Sequence, residues 1–242
     1  MMQVFDKGLK VCMGVVLLIA MVILSARLAL YETEERISVS STDIIQVASK
    51  NIVVIDAGHG GNDPGKVGIN NVYEKDINLE IAKKVKKYLE ENDISVVMTR
   101  EEDKALYEEG ASNKKLQDMK ARVELIDNAD AALAVSIHQN SFPQESVKGT
   151  QTFYYSNNDL SREIAETLQD TIIEVLKPEK ERNAKTNNDY YLLKKTKTNV
   201  VIVECGFLSN KEEANLLTEN DYQERMAWAI AMGIIRCLNK TE

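Results

Sequence analysis

Short apolar runs alternate along the chain with segments whose apolar residues recur at helical spacing. The run IVVID at 52–56 is typical of a buried strand, and apolar side chains then recur every three or four positions over 77–89. The same alternation predicts further strands at 94–99, 131–137, 149–155 and 200–203, and further helices at 116–126, 164–175 and 222–238. A capping box formed by Ser209 and Glu212 predicts the start of one more helix. This order predicts an α/β fold, a three-layer sandwich whose mainly parallel central sheet has helices on both faces.

The N-terminus has a different pattern, an uncharged apolar stretch at 11–26 that follows Lys7 and Lys10. Extended to residue 30, it approaches the ~20 residues that span a bilayer. Its positive end predicts an N-terminal membrane segment, a signal anchor over 1–30, followed by a polar linker at 31–50 and a globular domain at 51–242. A cleaved signal peptide is the weaker alternative because the small-residue cleavage site is poor, and a buried helix of a cytosolic protein is weaker still. The domain is therefore expected outside the cytoplasm.

Charge and cysteine content narrow the partners. The chain has 30 Lys and Arg against 38 Asp and Glu, a net charge of −8, which argues against a nucleic-acid partner. Its three cysteines, Cys12, Cys205 and Cys237, do not make a disulfide framework. A bridge between Cys205 and Cys237 stays open, but two buried thiols are favoured.

The only two histidines of the chain, His59 and His138, each follow an apolar run that is typical of a strand. Glu204 ends a third such run, VVIVE. In a parallel sheet, ligands bind outside the carboxyl ends of the strands, so these three side chains are expected at one edge. Two imidazoles and one carboxylate are a common ligand set for catalytic zinc. The sequence therefore predicts a zinc site there.

The third ligand and a general base must then be carboxylates. Spacing alone does not rank Asp56, Asp63, Glu74 and Glu204. Asp56 is alternatively expected to accept a hydrogen bond from a histidine and so to orient it. Glu204 is the favoured base, because so apolar a strand has little reason to carry a carboxylate for solvation alone. Its neighbour Cys205 is expected to point to the opposite face of the strand, into the core.

Three separated motifs now carry a resemblance: IDAGHGGNDPGKVG with Glu74 following it, SIHQN, and VVIVECGFLSN. In this order they resemble the zinc-dependent N-acetylmuramoyl-L-alanine amidases of type 3, over residues 51 to about 238. The resemblance implies that His59, Glu74 and His138 bind zinc (Zn²⁺) and that Glu204 is the catalytic base and acid. The implied substrate is peptidoglycan, cleaved at the amide between the lactyl group of N-acetylmuramic acid and L-alanine.

The same resemblance implies supporting residues. Arg100 and Asp103 match a stretch of the family that follows the second strand, and a structural or site-supporting role is expected for them. Asn140 is expected either to bind the glycan or peptide or to stabilise a turn. Gln139 departs from the family, which has a small residue at this position, and we expect an effect on metal affinity or on the pocket.

A single domain on a signal anchor is most similar to the spore-cortex amidases of endospore-forming bacteria, which act on the way to muramic-δ-lactam. This likeness implies a place in the forespore intermembrane or cortex region and a role in germination. The partners it implies are peptidoglycan, the membrane, and a membrane-associated or lipoprotein activator. Two alternatives stay open: a zinc peptidase of related fold, and an inactive or partner-dependent amidase domain that acts as a binding protein.

Overall fold

The computed structural model describes residues 51–108 and 110–240 of the chain. They belong to one compact unit, Ala48–Glu242. The predicted signal anchor at 1–30 and the linker at 31–50 lie outside the described residues. Among the residues that are described, no helix has the length and apolar character needed to cross a bilayer.

Strands and helices alternate through the described residues, as the apolar pattern predicts. The strands are β1 (Ile52–Ala57), β2 (Ser95–Met98), β3 (Leu133–Asn140), β4 (Gln151–Tyr154), β5 (Lys185–Thr186) and β6 (Val200–Phe207). The helices are α1 (Glu74–Glu90), α2 (Lys114–Asn128), α3 (Asp159–Leu176), α4 (Tyr191–Lys195), α5 (Lys211–Leu216) and α6 (Asn220–Lys240). The short elements β5 and α4 were not predicted, because two and five residues are too few to show a period.

The strands form one mixed sheet in the order β2-β1-β3-β6-β4-β5. Neighbours among β2, β1, β3 and β6 are parallel, whereas β4 pairs antiparallel with β6 and parallel with β5. Four of the five pairings are thus parallel, as a mainly parallel sheet requires, and the antiparallel pairing of β4 with β6 makes the sheet mixed. A parallel connection needs a crossover of about a dozen or more residues, and the segment 141–150 between β3 and β4 is shorter than that and contains no helix.

Two apolar cores cover the two faces of the sheet, as expected for three layers. Alternate strand residues such as Ile55, Val135 and Val203 pack in a core that includes residues of α1, α3 and α6. The residues between them, such as Ala134 and Ile202, pack in a second core with residues of α2 and α4. Because side chains alternate along a strand, His138 in β3 and Glu204 in β6 lie on the same face of the sheet as this second core.

The boundaries of several elements differ from the prediction, and three of the differences concern the site. Strands β3 and β6 continue past the predicted ends, so His138 and Glu204 lie within strands and not after them. Helix α1 begins at Glu74, three residues before its first predicted apolar position. This first turn carries acidic residues, which are favourable near the positive end of the helix dipole.

The predicted capping box is wrong by one residue. Asn210 is the N-cap of α5, and its side-chain oxygen accepts a hydrogen bond from the Glu213 backbone N–H at 3.0 Å. The hydroxyl of Ser209 instead accepts from the backbone N–H of Phe142 at 2.9 Å. Asparagine and serine cap helices about equally well, so the tertiary contact to the loop after β3 decides which of them does so.

The two described cysteines, Cys205 and Cys237, are buried and are not bridged to each other, as favoured from the sequence. Cys205 has no exposed surface and lies in the core with α1, α3 and α6, on the side of β6 opposite to Glu204, as predicted. Cys12 is outside the described residues.

Candidate active site

The candidate site lies at the carboxyl edge of the parallel strands. His59 follows β1, and His138 and Glu204 face each other as register partners on β3 and β6. Glu74 joins them because α1 follows β1 in the chain and therefore begins at the edge where β1 ends. Strand order thus brings together four residues that are up to 145 positions apart.

Three of these side chains converge on one small volume. Glu74 Oε1 lies 3.2 Å from His59 Nε2 and 2.9 Å from His138 Nδ1. One atom from each residue falls within 4.8 Å of the others, a grouping that can hold a metal ion. Ligand atoms placed tetrahedrally about zinc at ~2.1 Å lie roughly 3.4 Å apart. The donor types and separations of His59, Glu74 and His138 therefore fit zinc.

The electrostatics favour the charged form of Glu74, the form that ligates a cation. Burial opposes ionisation, but the hydrogen bonds and charges of His138 and His59 outweigh it and hold the pKa of Glu74 well below its ordinary value. Burial also opposes the charged form of His59 and so lowers its pKa. The hydrogen bonds and charges of Glu74 and Asp63 outweigh this effect, and the pKa of His59 is raised overall. Backbone N–H groups of Lys66 and Gln139 add two further donors to the Glu74 carboxylate, at 2.7 and 3.1 Å.

Two glycines let the backbone pass against these side chains. A Cβ at Gly58 would lie 2.3 Å from the ring of His138, and one at Gly65 would lie 2.5 Å from Glu74 Oε2. Gly65 also has a φ of +68°, which L-residues with side chains rarely adopt. His59 itself has a φ of 62°, so the chain turns sharply at the first histidine. Gly58 of the GHGG stretch and Gly65 therefore allow the close packing of the site.

Asp63 orients His59 from outside the cluster. Its Oδ2 lies 2.9 Å from His59 Nδ1, and its Oδ1 accepts from the backbone N–H of Gly65 at 3.0 Å. A carboxylate on the far nitrogen of a metal-binding histidine fixes the ring and its tautomer. The sequence offered Asp63 as one of four candidate acids without assigning it this contact.

Arg100 and Asp103 hold the segment between β1 and α1. The guanidinium of Arg100, 2% exposed, donates to backbone carbonyls at 2.8–3.1 Å, those of Ala57, Gly58, Lys75 and Glu102. Asp103 accepts from the Gly61 backbone N–H at 2.8 Å and from Lys75 Nζ at 2.6 Å. Both residues contact the loop that carries His59 and neither contacts an imidazole.

Asp56 contacts a buried arginine and no histidine. Its carboxylate accepts from Arg122, and also from the hydroxyls of Thr99 and Ser136. Burial raises the pKa of Asp56, but the charge of Arg122 together with these hydrogen bonds and the charge of His138 lowers it to about 2. The expected hydrogen bond between Asp56 and a histidine is therefore not formed, and Asp56 pairs with Arg122 instead.

Arg122, which the sequence analysis did not single out, links this pair to the site. Besides Asp56, its guanidinium donates to the carbonyls of Ala57 at 2.9 Å and His59 at 2.6 Å, and to Asp118 at 2.7 Å. Arg122 is 2% exposed, so a buried ion pair supports the backbone of the first histidine.

Glu204 is buried beside the cluster and is only partly hydrogen-bonded. It is 6% exposed, and its Oε1 accepts from the Tyr190 hydroxyl at 3.4 Å. Its Oε2 is buried without a hydrogen-bond partner among the described residues. Burial raises the pKa of Glu204 to about 7, against the lowering effect of the His138 charge. A carboxyl group with this pKa can both accept and donate a proton near neutral pH.

A cavity of about 700 Å³ opens over these residues, and His59, Glu74, His138 and Glu204 all line it. Asn140 also lines it, while its Oδ1 accepts from the Ser141 backbone N–H at 2.8 Å, so both expected roles of Asn140 stay open. The longer side chain of Gln139 is 2% exposed and donates to Asn78, which in turn donates to the carbonyl of Gly58.

The family of the chain follows from comparison with known proteins. The sequence model for N-acetylmuramoyl-L-alanine amidases matches residues 53–236. The chain belongs to this amidase family. The germination-specific N-acetylmuramoyl-L-alanine amidase of Bacillus subtilis is 39% identical to it over 191 residues, 78% of this chain and 80% of that protein.

Solved structures support the same assignment. The CwlD amidase from Clostridioides difficile, solved in complex with the GerS lipoprotein, has a TM-score of 0.76 and 40% identity, over 79% of this chain and 100% of that chain. An N-acetylmuramoyl-L-alanine amidase from Clostridium difficile 630 has a TM-score of 0.71 and 33% identity, over 80% of this chain and 100% of that chain. This amidase is therefore an enzyme of peptidoglycan, and a zinc peptidase is the weaker alternative.

Proposed function

We propose that this amidase holds one zinc ion on His59, Glu74 and His138 and uses Glu204 as general base and then general acid. The bond it cleaves is the amide between the lactyl group of N-acetylmuramic acid and L-alanine. The observation that carries the proposal is Glu204, a buried carboxylate with one unpartnered oxygen, beside three convergent ligand atoms. An orphaned buried acid is costly, and a role in proton transfer accounts for its retention.

The chemistry that a zinc ion supplies at such a site is Lewis acidity, which polarises an amide carbonyl and makes water more acidic. The residues of the chain do the rest. Tyr190 holds Oε1 of Glu204 and leaves Oε2 to take a proton from the attacking water. As the C–N bond breaks, the same oxygen returns that proton to the alanine nitrogen, giving a lactyl carboxylate and a free amine. Asn140 hydrogen-bonds the substrate at the cavity wall.

Replacement of Glu204 by Gln tests these assignments. The full-length protein with added zinc is incubated with peptidoglycan, new amino groups are labelled, and the N-terminal residue is identified. We expect new N-terminal alanine from the wild type and a loss of about 100-fold or more in turnover for Glu204→Gln, with zinc content unchanged. His138→Ala should lose both zinc and turnover.

The matched control is Glu166→Gln on the exposed side of α3, which should behave as the wild type. Wild-type turnover in Glu204→Gln would refute the assignment of the base. New amines on residues other than alanine would move the reaction to a peptidase. Zinc-loaded wild-type protein that releases no amine would favour a binding domain.

The biological role we propose is spore-cortex maturation on the way to muramic-δ-lactam, which germination needs. The support is the 39% identity to a germination-specific amidase. Spores that lack this protein should contain cortex with little muramic-δ-lactam, measured by chromatography of digested cortex. Wild-type lactam content in those spores would contradict the role and leave the amidase activity untouched.

For the N-terminus we propose an uncleaved anchor at 1–30, a linker at 31–50 and the catalytic domain at 51–242, placed in the forespore intermembrane or cortex region. The support is the uncharged apolar sequence of residues 11–26, which follows Lys7 and Lys10. Membrane fractionation and the intact mass of the membrane-bound protein test the arrangement. A mature protein that begins after residue 26 would show that the segment is a cleaved signal.

A lipoprotein activator on the same membrane is the partner we propose. The support is that the CwlD amidase from Clostridioides difficile has been solved with the GerS lipoprotein. Zinc content and turnover of the purified full-length chain should then both rise when a lipoprotein encoded by the same genome is added. Full zinc occupancy and full turnover of the chain alone would refute the need for an activator.

A further inference from the structure

Three lysines line the active-site cavity although the chain as a whole carries a net charge of −8. They are Lys66, from the loop before α1, and Lys114 and Lys115, the first two residues of α2. These three lysines supply none of the proposed zinc ligands and none of the proposed catalytic groups. Their position in the cavity therefore calls for an explanation other than catalysis of the bond cleavage itself.

The three ammonium groups have no acidic partner among the described residues, since none pairs with a carboxylate within 4.0 Å. The two acids nearest in the cavity wall are engaged elsewhere. Asp63 is bound by His59, and Asp118 accepts from the guanidinium of a buried arginine and from the Leu106 backbone N–H at 2.6 Å. Lys114 stands 5.3 Å from the ring centroid of Tyr107, a contact that leaves its charge available.

Two of the lysines belong to the surroundings of the metal ligands. The backbone N–H of Lys66 donates to Glu74 Oε2 at 2.7 Å, so this residue lies beside the cluster. Lys115 lines the same cavity as Asp63, which contacts His59 at 2.9 Å. An anion held by these lysines would therefore lie in the same cavity as the metal ligands.

Substrate charge decides which part of peptidoglycan fits these lysines. The glycan strand is uncharged once the lactyl carboxyl is in an amide, whereas the stem peptide keeps free carboxylates at its second residue, D-glutamate, and at a diaminopimelate third residue. Two extended residues span at most about 7 Å, so the second-residue carboxylate stays close to the scissile amide, in the cavity that these lysines line. We propose that Lys66, Lys114 and Lys115 form a subsite for a stem-peptide carboxylate. This inference rests on the proposed function.

The test compares three disaccharide-tripeptide substrates with the full-length, zinc-loaded protein. One has both carboxylates free, one carries D-isoglutamine at the second residue, and one carries amidated diaminopimelate. For the double variant Lys114→Gln with Lys115→Gln we expect KM for the free substrate to rise about fivefold at unchanged kcat, the size of an exposed ion pair. The substrate that lacks the recognised carboxylate should show no such rise and identifies which carboxylate is bound.

The matched control is the double variant Lys83→Gln with Lys120→Gln, which removes the same charge from exposed positions outside the cavity and should keep the wild-type KM. An unchanged KM in the cavity variant, or equal losses on all three substrates, would overturn the subsite while the amidase reaction stands. If the wild type released alanine from none of the substrates, the proposed function itself would fail, which is a different outcome.

Discussion

Gly58→Ala is the substitution whose effect on the site is most directly defined by the structure. Gly58 follows β1, and the ring of His138 on β3 lies directly against its Cα. An added Cβ would meet His138 Cε1 and Nε2 at 2.3 Å and Nδ1 at 2.7 Å. No rotation of a methyl group relieves such a contact, because the Cβ is fixed by the backbone.

The displacement can be worked from these distances. Carbon atoms rest at roughly 3.5–4.0 Å, so the imidazole has to move by about 1.2 Å or more. Zinc sites keep ligand distances within ~0.2 Å, and His138 Nδ1 now lies 2.9 Å from Glu74 Oε1. Altering a residue that merely supports a ligand costs about 10–100-fold in metal affinity, so displacing a ligand should cost at least about 100-fold. Overpacking should destabilise the fold by only about 1–3 kcal/mol.

Zinc affinity measured by competition with a chelator, together with the thermal midpoint, separates these effects. The control is Gly206→Ala, whose Cβ would meet the flexible end of Leu217 at 3.2 Å and no part of the ligand cluster. It should lose some stability and keep its zinc affinity. Wild-type zinc affinity in Gly58→Ala would refute the reasoning, because the ring of His138 would then have moved without consequence for the metal.

Three further outcomes are expected. Asp63→Asn should weaken zinc binding about 10–100-fold, since it removes the carboxylate on His59, and an unchanged affinity in the chelator competition would contradict that role. Asp56→Asn should lower the free energy of unfolding by about 3–5 kcal/mol at pH 7, because it leaves Arg122 buried and unpaired, and urea titration measures it. Burial raises the pKa of Asp56 in the folded protein, but the charge of Arg122, with the hydrogen bonds of Ser136 and Thr99 and the charge of His138, lowers it to about 2. The contribution of the ionised Asp56 to the free energy of unfolding is therefore present above about pH 4 and is lost as the pH falls towards 2. The difference in free energy of unfolding between wild type and Asp56→Asn should therefore narrow over that pH range. A constant difference would show that the ionised pair is not the source of the stability.

Much of the architecture could be predicted from the sequence because each element buries a regular stripe. Short apolar runs predicted five of the strands, helical spacing predicted the long helices, and the placement of the histidines after apolar runs predicted their common edge. Glu204 was predicted from a local contrast, a carboxylate at the end of four apolar residues. These inferences need only the chain's local pattern, which burial imposes on it.

Strand direction and capping could not be read in the same way. A strand has the same apolar pattern in either direction, so the antiparallel pairing of β4 with β6 becomes visible only with the sheet order. Ser209 and Asn210 are equally good caps on local grounds, and the contact of Ser209 with the loop after β3 separates them. Exact element ends, which placed Glu74 at the first position of α1, were likewise set by contacts with distant residues.

The contacts that each supporting residue makes were decided by the tertiary structure. The sequence by itself determined that two imidazoles and an acid meet at one sheet edge, since the carboxyl ends of parallel strands share an edge whatever the order of the strands. It could not show that Asp56 pairs with Arg122 from α2, that Asp63 orients His59, or that Tyr190 holds Glu204. Burial repeats apolar residues at regular intervals along an element, so the core can be predicted from sequence spacing. Each of these polar contacts instead joins residues of different elements at no regular spacing, and only the packing of the elements brings the two partners together.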